Sequence, residues 1–336
     1  MFLERFRKTH IPPAEFCAWT AIPERCTGCG LCVQTCPGNL LELVDKRPRV
    51  KTTYKVGDLE FKVGCVGCYN CFSVCPEDAI RITGRYRVTQ GLYKTLTNPP
   101  SFPNPFREKE PRPFAEIEKD LTETEKVIYK RRSNRLYHQK KQVPPELVHR
   151  VLEAGRFAPS AGNTLPYKYI VIQDRALIDE MTREIVPILR RFNKIYLGRR
   201  LWNKILVWIL AQVAPEGMDQ RIHAGIYTVA NLPGREVFHH APTVILIAGD
   251  KRGASDYRVD CAITAQNMML TAHALGLASC FIGYSTALNF NGKMKKKLNI
   301  RWPYKIVTSI ILGYPKIPSD KVVARDMPPV EWHSPK

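Results

Sequence analysis

Two cysteine runs constrain this chain more than any other feature of it. Cys26, Cys29, Cys32 and Cys36 are followed by Pro37, and Cys65, Cys68, Cys71 and Cys75 by Pro76, so the pattern C-x2-C-x2-C-x3-C-P occurs twice. A [4Fe-4S] cubane needs four thiolates converging on one cluster, and this close spacing wraps a short loop around three irons while the fourth ligand comes from elsewhere. Structural zinc instead favours two C-x-x-C pairs separated by a longer loop. Gly28, Gly30, Gly64 and Gly67 let the loops turn tightly and aim N–H groups at the sulfurs. The remaining Cys17, Cys261 and Cys280 read as buried small hydrophobes.

The segment resembles the bacterial two-cluster ferredoxins, in which the fourth cysteine of each run serves the other cluster. That resemblance implies one site of Cys26, Cys29, Cys32 and Cys75 and a second of Cys65, Cys68, Cys71 and Cys36. Eight of eleven cysteines are thereby metal ligands rather than disulfide partners, and the start MFLERFRKTH lacks the apolar core of a signal peptide, so a reducing cytoplasm is expected. The longest apolar run, Ile205 to Ala211, is too short to cross a bilayer, which takes about 20 residues.

With 336 residues the chain has room for two domains. Six prolines between Asn98 and Pro113 exclude a helix or central strand there and mark an extended linker. The expected organisation is a two-cluster ferredoxin-like domain over 1–92, a proline-rich linker over 93–121 and a second domain over 122–336. In the second domain Thr122 to Tyr129, Pro145 to Arg156 and Asp260 to Leu275 read as helices, while Tyr169 to Ile172, Thr243 to Ala248 and Ile306 to Leu312 read as buried strands. The fold class is α+β, the second domain being an α/β sandwich on a central sheet.

The run Lys130-Arg131-Arg132-Ser133-Asn134-Arg135 is dense in groups that grip a phosphate, guanidinium forks and a hydroxyl, although alone it could be a solvated basic patch. Further on come Ala158-Pro159-Ser160-Ala161-Gly162-Asn163-Thr164-Leu165-Pro166-Tyr167, the helix Asp260 to Asn267, the turn Gly276 to Gly283 and the ending Gly313-Tyr314-Pro315. R-x-S-x-R followed by A-P-S-x-x-N-x-x-P and a strand resembles the nitroreductase family of FMN enzymes, and the resemblance runs from about Glu123 to Pro329 in the family's order.

That resemblance implies a phosphate grip of Arg131, Ser133 and Arg135, joined by Arg325 near the C-terminus. It implies an isoalloxazine lining of Pro159, Ser160 and Asn163, and an N5-facing turn at Ile282 and Gly283. Leu165 departs from the Gln of many members, and Val323 stands where Lys is frequent, with Lys321 nearby. Tyr284, beside the turn, is placed to donate a proton; no other catalytic side chain stands out, because N5 carries the hydride and the protein supplies position and electrostatics. Members are usually homodimers. No G-x-G-x-x-G follows a strand and no P-loop occurs, so neither a dinucleotide fold nor a nucleotide-triphosphate loop is indicated.

Net charge is +20, and no Asp or Glu occurs from Ile185 to Pro215 or from Cys261 to Ser319, which hold six and seven Lys or Arg. Such a field suits an acidic partner or an anionic membrane, whereas no nucleic-acid-binding motif is recognisable. Between Ile185 and Ala214 apolar residues recur at helical spacing beside Arg190, Arg191 and Lys194. The segment suits peripheral contact with the inner membrane surface, or a lid or dimer-swapped helix over the flavin pocket. The expected function is an FMN-dependent oxidoreductase that passes electrons from a low-potential donor, such as ferredoxin or flavodoxin, through two [4Fe-4S] clusters to FMN and on to a small acceptor: a nitroarene, quinone or activated alkene. The alternatives are an electron-transfer module docking on a redox complex, or a flavin-dependent reductive dehalogenase.

Overall fold

The computed structural model describes residues 14–51, 54–56, 59–61, 64–89, 94–198, 200–213, 218–232, 234–317 and 321–334. The N-terminal MFLERFRKTH, the expected boundary at 92/93 and Ala214 lie outside them. The chain divides into two compact units that are not consecutive in sequence. One comprises residues 1–129, 195–225 and 321–336, the other 130–194 and 226–320.

The doubled cysteine run becomes a doubled local structure in the first unit. Helices α1 (Leu31–Thr35) and α2 (Asn70–Val74) each carry the third cysteine of their run and end as Cys36 and Cys75 turn to extended backbone before a proline. Around them, β1 (Ala14–Glu15) and β2 (Ala18–Ala21) precede the hairpin β3 (Leu41–Val44) and β4 (Arg47–Val50), whose two turn residues, Asp45 and Lys46, are both left-handed. The pair β5 (Tyr54–Val56) and β6 (Leu59–Phe61) comes next. Strand β7 (Ile80–Thr83) returns to β2 with Trp19 opposite Ile82, and β8 (Arg87–Val88) returns to β1. Trp19, Leu40, Leu41 and Ile80 form a core with Cys32 and Cys71. This small core is built around the ligands themselves, which leaves metal binding to stabilise the unit.

The proline-rich stretch holds β9 (Asn98–Ser101) and the short helix α3 (Phe114–Ile117), and helix α4 (Glu123–Lys130) follows. In the second unit, α5 (Pro145–Arg156) starts with proline at its first position, where the missing N–H costs nothing. Strands β10 (Tyr167–Ile172), β11 (Thr243–Asp250), β12 (Ala278–Ile282) and β13 (Tyr304–Gly313) form one sheet in the order β10-β11-β13-β12, every pairing antiparallel.

Helix α6 (Arg175–Tyr196) buries Ile178, Met181, Ile185 and Leu189 at three- and four-residue spacing. The stripe from Ile185 onward thus packs within the protein. Helix α7 (Leu201–Val213) differs: Leu201, Trp202, Ile205, Trp208, Ile209 and Val213 are exposed along one side. After α8 (Gln220–Asn231), the long α9 (Tyr257–Ala274) buries Cys261, Ala265, Met268 and Ala272 in a core with Val148 and Val151 of α5 and Ile245, Ile247, Ile310 and Leu312 of the sheet. Each fully buried aliphatic side chain there contributes about 1.5–3 kcal/mol. The short α10 (Gly292–Lys297) precedes β13.

Residues 195–225 belong with the cysteine-bearing unit through Arg221, whose guanidinium stands 4.8 Å over the Tyr86 ring and pairs with Asp219 at 2.6 Å. The C-terminal tail joins the same unit: β14 (Arg325–Met327) pairs with β9, and Thr97 donates to Asp326 at 2.8 Å.

Candidate cofactor sites

Cys26, Cys29, Cys32 and Cys75 line one cavity in the first unit. Its walls explain the loop glycines: Gly28 is left-handed at φ +73°, and a Cβ on it would stand 2.3 Å from the Lys46 carbonyl. Arg47 ties the loop down by donating to the carbonyls of Pro23 and Cys26, each at 2.8 Å. Burial pushes the Cys32 thiol up to about 11, with Cys29, Cys26 and Cys75 as its sulfur neighbours. Burial likewise raises Cys71, whose sulfur neighbours are Cys68, Cys65 and Cys36. The fourth cysteine of each run therefore stands with the first three of the other.

Thiols this buried need a cation's charge to ionise near neutral pH. Four cysteines lining one cavity make an all-thiolate donor set, which suits a cubane. The repeat also supplies matched backbone donors: Leu40 N–H to Cys36 Sγ and Ala79 N–H to Cys75 Sγ, both at 3.3 Å. The Trp19 indole adds a side-chain donor to Cys71 Sγ at 3.3 Å, and Cys17 pairs with Cys65 across an antiparallel bridge, its N–H donating to the Cys65 carbonyl at 2.9 Å. Cys17 is thus more than filler, whereas Cys261 and Cys280 are fully buried in the second unit.

In that unit the basic run is laced into the sheet's edge. Ser133 bridges Ser279 in parallel, and Asn134 N–H donates to the Ser279 carbonyl at 3.0 Å. On the other side His138 N–H donates to Tyr314 at 3.0 Å and Lys316 N–H to Leu136 at 2.9 Å. This gives Gly313-Tyr314-Pro315 a physical role, since a Cβ on Gly313 would stand 2.7 Å from Tyr137 and 2.8 Å from Pro242. Ser133 lies in the bridge to Ser279, with Arg131 and Arg135 two residues to either side of it.

Arg135 lies near two groups that carry no negative charge. Burial pushes the Tyr284 hydroxyl up to about 12. Burial, with the Arg135 and Arg235 guanidiniums adding to it, pushes His239 down to about 3, so its imidazole is neutral. Beside Ser133, the Ser279 hydroxyl is buried with no hydrogen-bond partner among the described residues. Guanidiniums, a serine and an unsatisfied hydroxyl suit the oxygens of a phosphate.

From Ser279, β12 runs four residues to Gly283, about 13 Å at strand rise, the scale of a ribityl phosphate. Ile282 is buried, and a Cβ on Gly283 would meet open space, so this turn presents bare backbone. Ser160 spends its hydroxyl locally, accepting from Leu165 N–H at 3.0 Å across a turn in which Gly162, Asn163 and Leu165 are left-handed. Pro159 and Asn163 are exposed. Residues 131–163, 282 and 283 fall in the second unit, whereas Arg325 is exposed on β14 in the first. Lys321 also stands in the first unit, donating to the Cys75 carbonyl and pairing with Asp78 at 2.6 Å.

Sequence reasoning did not single out Ser279, His239 or Trp19 as site residues. Trp19 carried one signal: it falls two residues after Cys17 on a strand entering the first cysteine run, hence on the same face.

The nitroreductase family model matches residues 128–314, more than half of the chain, and a 4Fe-4S dicluster domain model matches residues 25–79. A protein of Archaeoglobus fulgidus described as an NADH dehydrogenase/NAD(P)H nitroreductase is 23% identical over 61% of this chain and 93% of its own length. A 4-nitrobenzoate reductase of a Nocardioides species is 26% identical over 56% of this chain and 78% of its own. Among solved structures, a Bacteroides fragilis nitroreductase with bound FMN is 21% identical, with a TM-score of 0.44 over 58% of this chain and 89% of that one.

Proposed function

This chain belongs to the nitroreductase family, and on that premise we propose that it takes electrons from an acidic, low-potential donor at its cysteine-bearing unit and delivers them to a small acceptor at its flavin site. FMN and two [4Fe-4S] clusters are its cofactors. When bound, they supply hydride or single-electron transfer and one-electron relay respectively. The acceptor is a nitroarene, quinone or activated alkene, and the donor a ferredoxin or flavodoxin.

Two rings of crossed thiols on one chain with the laced arginine run carry this reading. Arg131, Ser133 and Arg135 hold the phosphate. Pro159, Ser160 and Asn163 line the ring system, and the backbone at Ile282 and Gly283 faces its reactive edge. Tyr284, its hydroxyl held protonated by burial, supplies a proton to the acceptor. The charge of +20 draws in an acidic donor and speeds its docking in a salt-sensitive way. Free cluster thiols call for a reducing compartment, so we place the chain in the cytoplasm. Family members are commonly dimers, and a homodimer is proposed.

The test compares turnover of a nitroarene with reduced ferredoxin and with NADPH, in the intact chain and in a Cys68→Ala variant. A truncated chain is unsuitable, because residues 195–225 and 321–336 pack with the cysteine-bearing segment. Ferredoxin is expected to drive the intact chain, less well as salt rises, and to fail with the variant. Equal turnover of both proteins by NADPH, with none from ferredoxin, would show that the clusters are not the entry route.

A further inference from the structure

We propose that Cys17 and Trp19 tune the cluster held by Cys36, Cys65, Cys68 and Cys71, raising its reduction potential by donating hydrogen bonds to two of its sulfurs. Cys17 immediately precedes β2 and Trp19 lies within it, so the two alternate along the chain and share a face. Both are buried, at 7% and 8% exposure, so water does not compete for their donors. The Trp19 indole N–H reaches Cys71 Sγ at 3.3 Å. Cys17 is fixed opposite Cys65 by an antiparallel bridge, its backbone N–H donating to the Cys65 carbonyl at 2.9 Å, which places the two side chains side by side on one face. An iron-bound thiolate has no proton to give, so the Cys17 S–H is the donor of that pair.

The direction of the effect follows from charge. One electron added to a cubane increases negative charge on its sulfurs, and a hydrogen bond to a sulfur therefore stabilises the reduced cluster more than the oxidised one. The matched backbone donors, Leu40 to Cys36 and Ala79 to Cys75, give each cluster the same help. Near the other ring, Lys321 donates to the Cys75 carbonyl, and its charge is paired with Asp78. Trp19 and Cys17 act on the cluster of Cys36, Cys65, Cys68 and Cys71. They are positioning residues, acting on the ligands rather than on substrate.

The test is an anaerobic redox titration of the holoprotein, followed by electron paramagnetic resonance, with Trp19→Phe, Cys17→Ala and Cys17→Ser. Trp19→Phe keeps a smaller buried aromatic ring without the N–H; Cys17→Ser keeps a donor where Cys17→Ala has none. Both donors serve one cluster, so Trp19→Phe and Cys17→Ala are expected to lower the same one of the two one-electron steps. Each shifts its equilibrium about tenfold, which is 59 mV for one electron, and Cys17→Ser retains part of the Cys17 effect. The proposal is overturned if neither step moves, if the two variants move different steps, or if both steps move together as a general loosening would produce.

Discussion

The backbone N–H of Asn134 donates to the carbonyl of Ser279 at 3.0 Å, which locks the arginine run to the strand that ends at the bare turn of Gly283. The two ends of the proposed mononucleotide site are therefore held by one strand. Arg131→Ala combined with Arg135→Ala leaves that strand intact and removes two charge-assisted contacts, each worth about 1.5–3 kcal/mol. FMN affinity is expected to fall about a hundredfold or more while iron content stays unchanged, since the thiols lie in the other unit. Equilibrium dialysis against FMN with parallel iron assay measures both. Retention of FMN at wild-type affinity would mean the phosphate sits elsewhere.

Crossed ligation makes a prediction that an uncrossed arrangement does not. The intact protein is expected to carry about eight irons and one FMN per chain. Cys36→Ala removes a ligand from the ring of Cys65, Cys68 and Cys71, although Cys36 belongs by sequence to the first run. Iron should drop to about four, and the surviving cluster should be lost in Cys26→Ala and kept in Cys71→Ala when each is combined with Cys36→Ala. The opposite pattern would show that each run closes its own cluster.

Helix α7 leaves Leu201, Trp202, Ile205, Trp208, Ile209 and Val213 exposed along one side, next to Arg200 and Lys204. We propose that this face meets an anionic membrane surface. No helix among the described residues is long and apolar enough to cross a membrane, so the contact is peripheral. Flotation with anionic vesicles at low salt should carry the wild-type chain upward and leave Trp202→Gln/Trp208→Gln behind. A wild-type chain that stays in solution would assign the face to another protein surface.

His240 and Glu236 give the second unit a pH response. Burial opposes ionisation of Glu236, but hydrogen bonds from His240 and Arg175 outweigh it and hold the carboxyl at about 2. In return the Glu236 carboxylate, 2.9 Å away, raises His240 above its ordinary 6.5. A raised histidine contributes stability that is complete below the unfolded value and lost as pH climbs through the folded one; the Glu236 part is constant above about 4.5. Relative to His240→Gln, the melting temperature of the wild-type protein should therefore decline as pH climbs above 6.5. An equal slope in both proteins would remove the pair from the account.

Local spacing made the metal chemistry legible, because a cubane's three nearest thiolates must come from one tight loop and no packing detail alters that requirement. Helix α5 was legible for the same kind of reason: its initial proline and its apolar period are properties of a short window. The phosphate run was legible as chemistry, yet what holds it was not, since the clash that excludes a side chain at Gly313 involves Tyr137 and Pro242 from distant segments.

Trp19 and Cys71 are separated by 52 positions, and their hydrogen bond exists only because β2 and α2 share the core that surrounds the ligands. The amphipathic stretch divided in the same way. Periodicity marked both α6 and α7 as apolar on one side, but a period cannot say what covers a face. Packing buried Ile185 and Leu189 and left Trp202 and Trp208 outside. Residues 321–336 likewise follow the flavin unit in the chain and pack with the cysteine-bearing one, through strand pairing and the Lys321–Asp78 contact. Which thiols a short loop can offer is settled by covalent reach, so the sequence alone determined it. Which groups come to lie against those thiols, and which faces stay open, is settled by long-range contacts that form only when the whole chain closes on its cores.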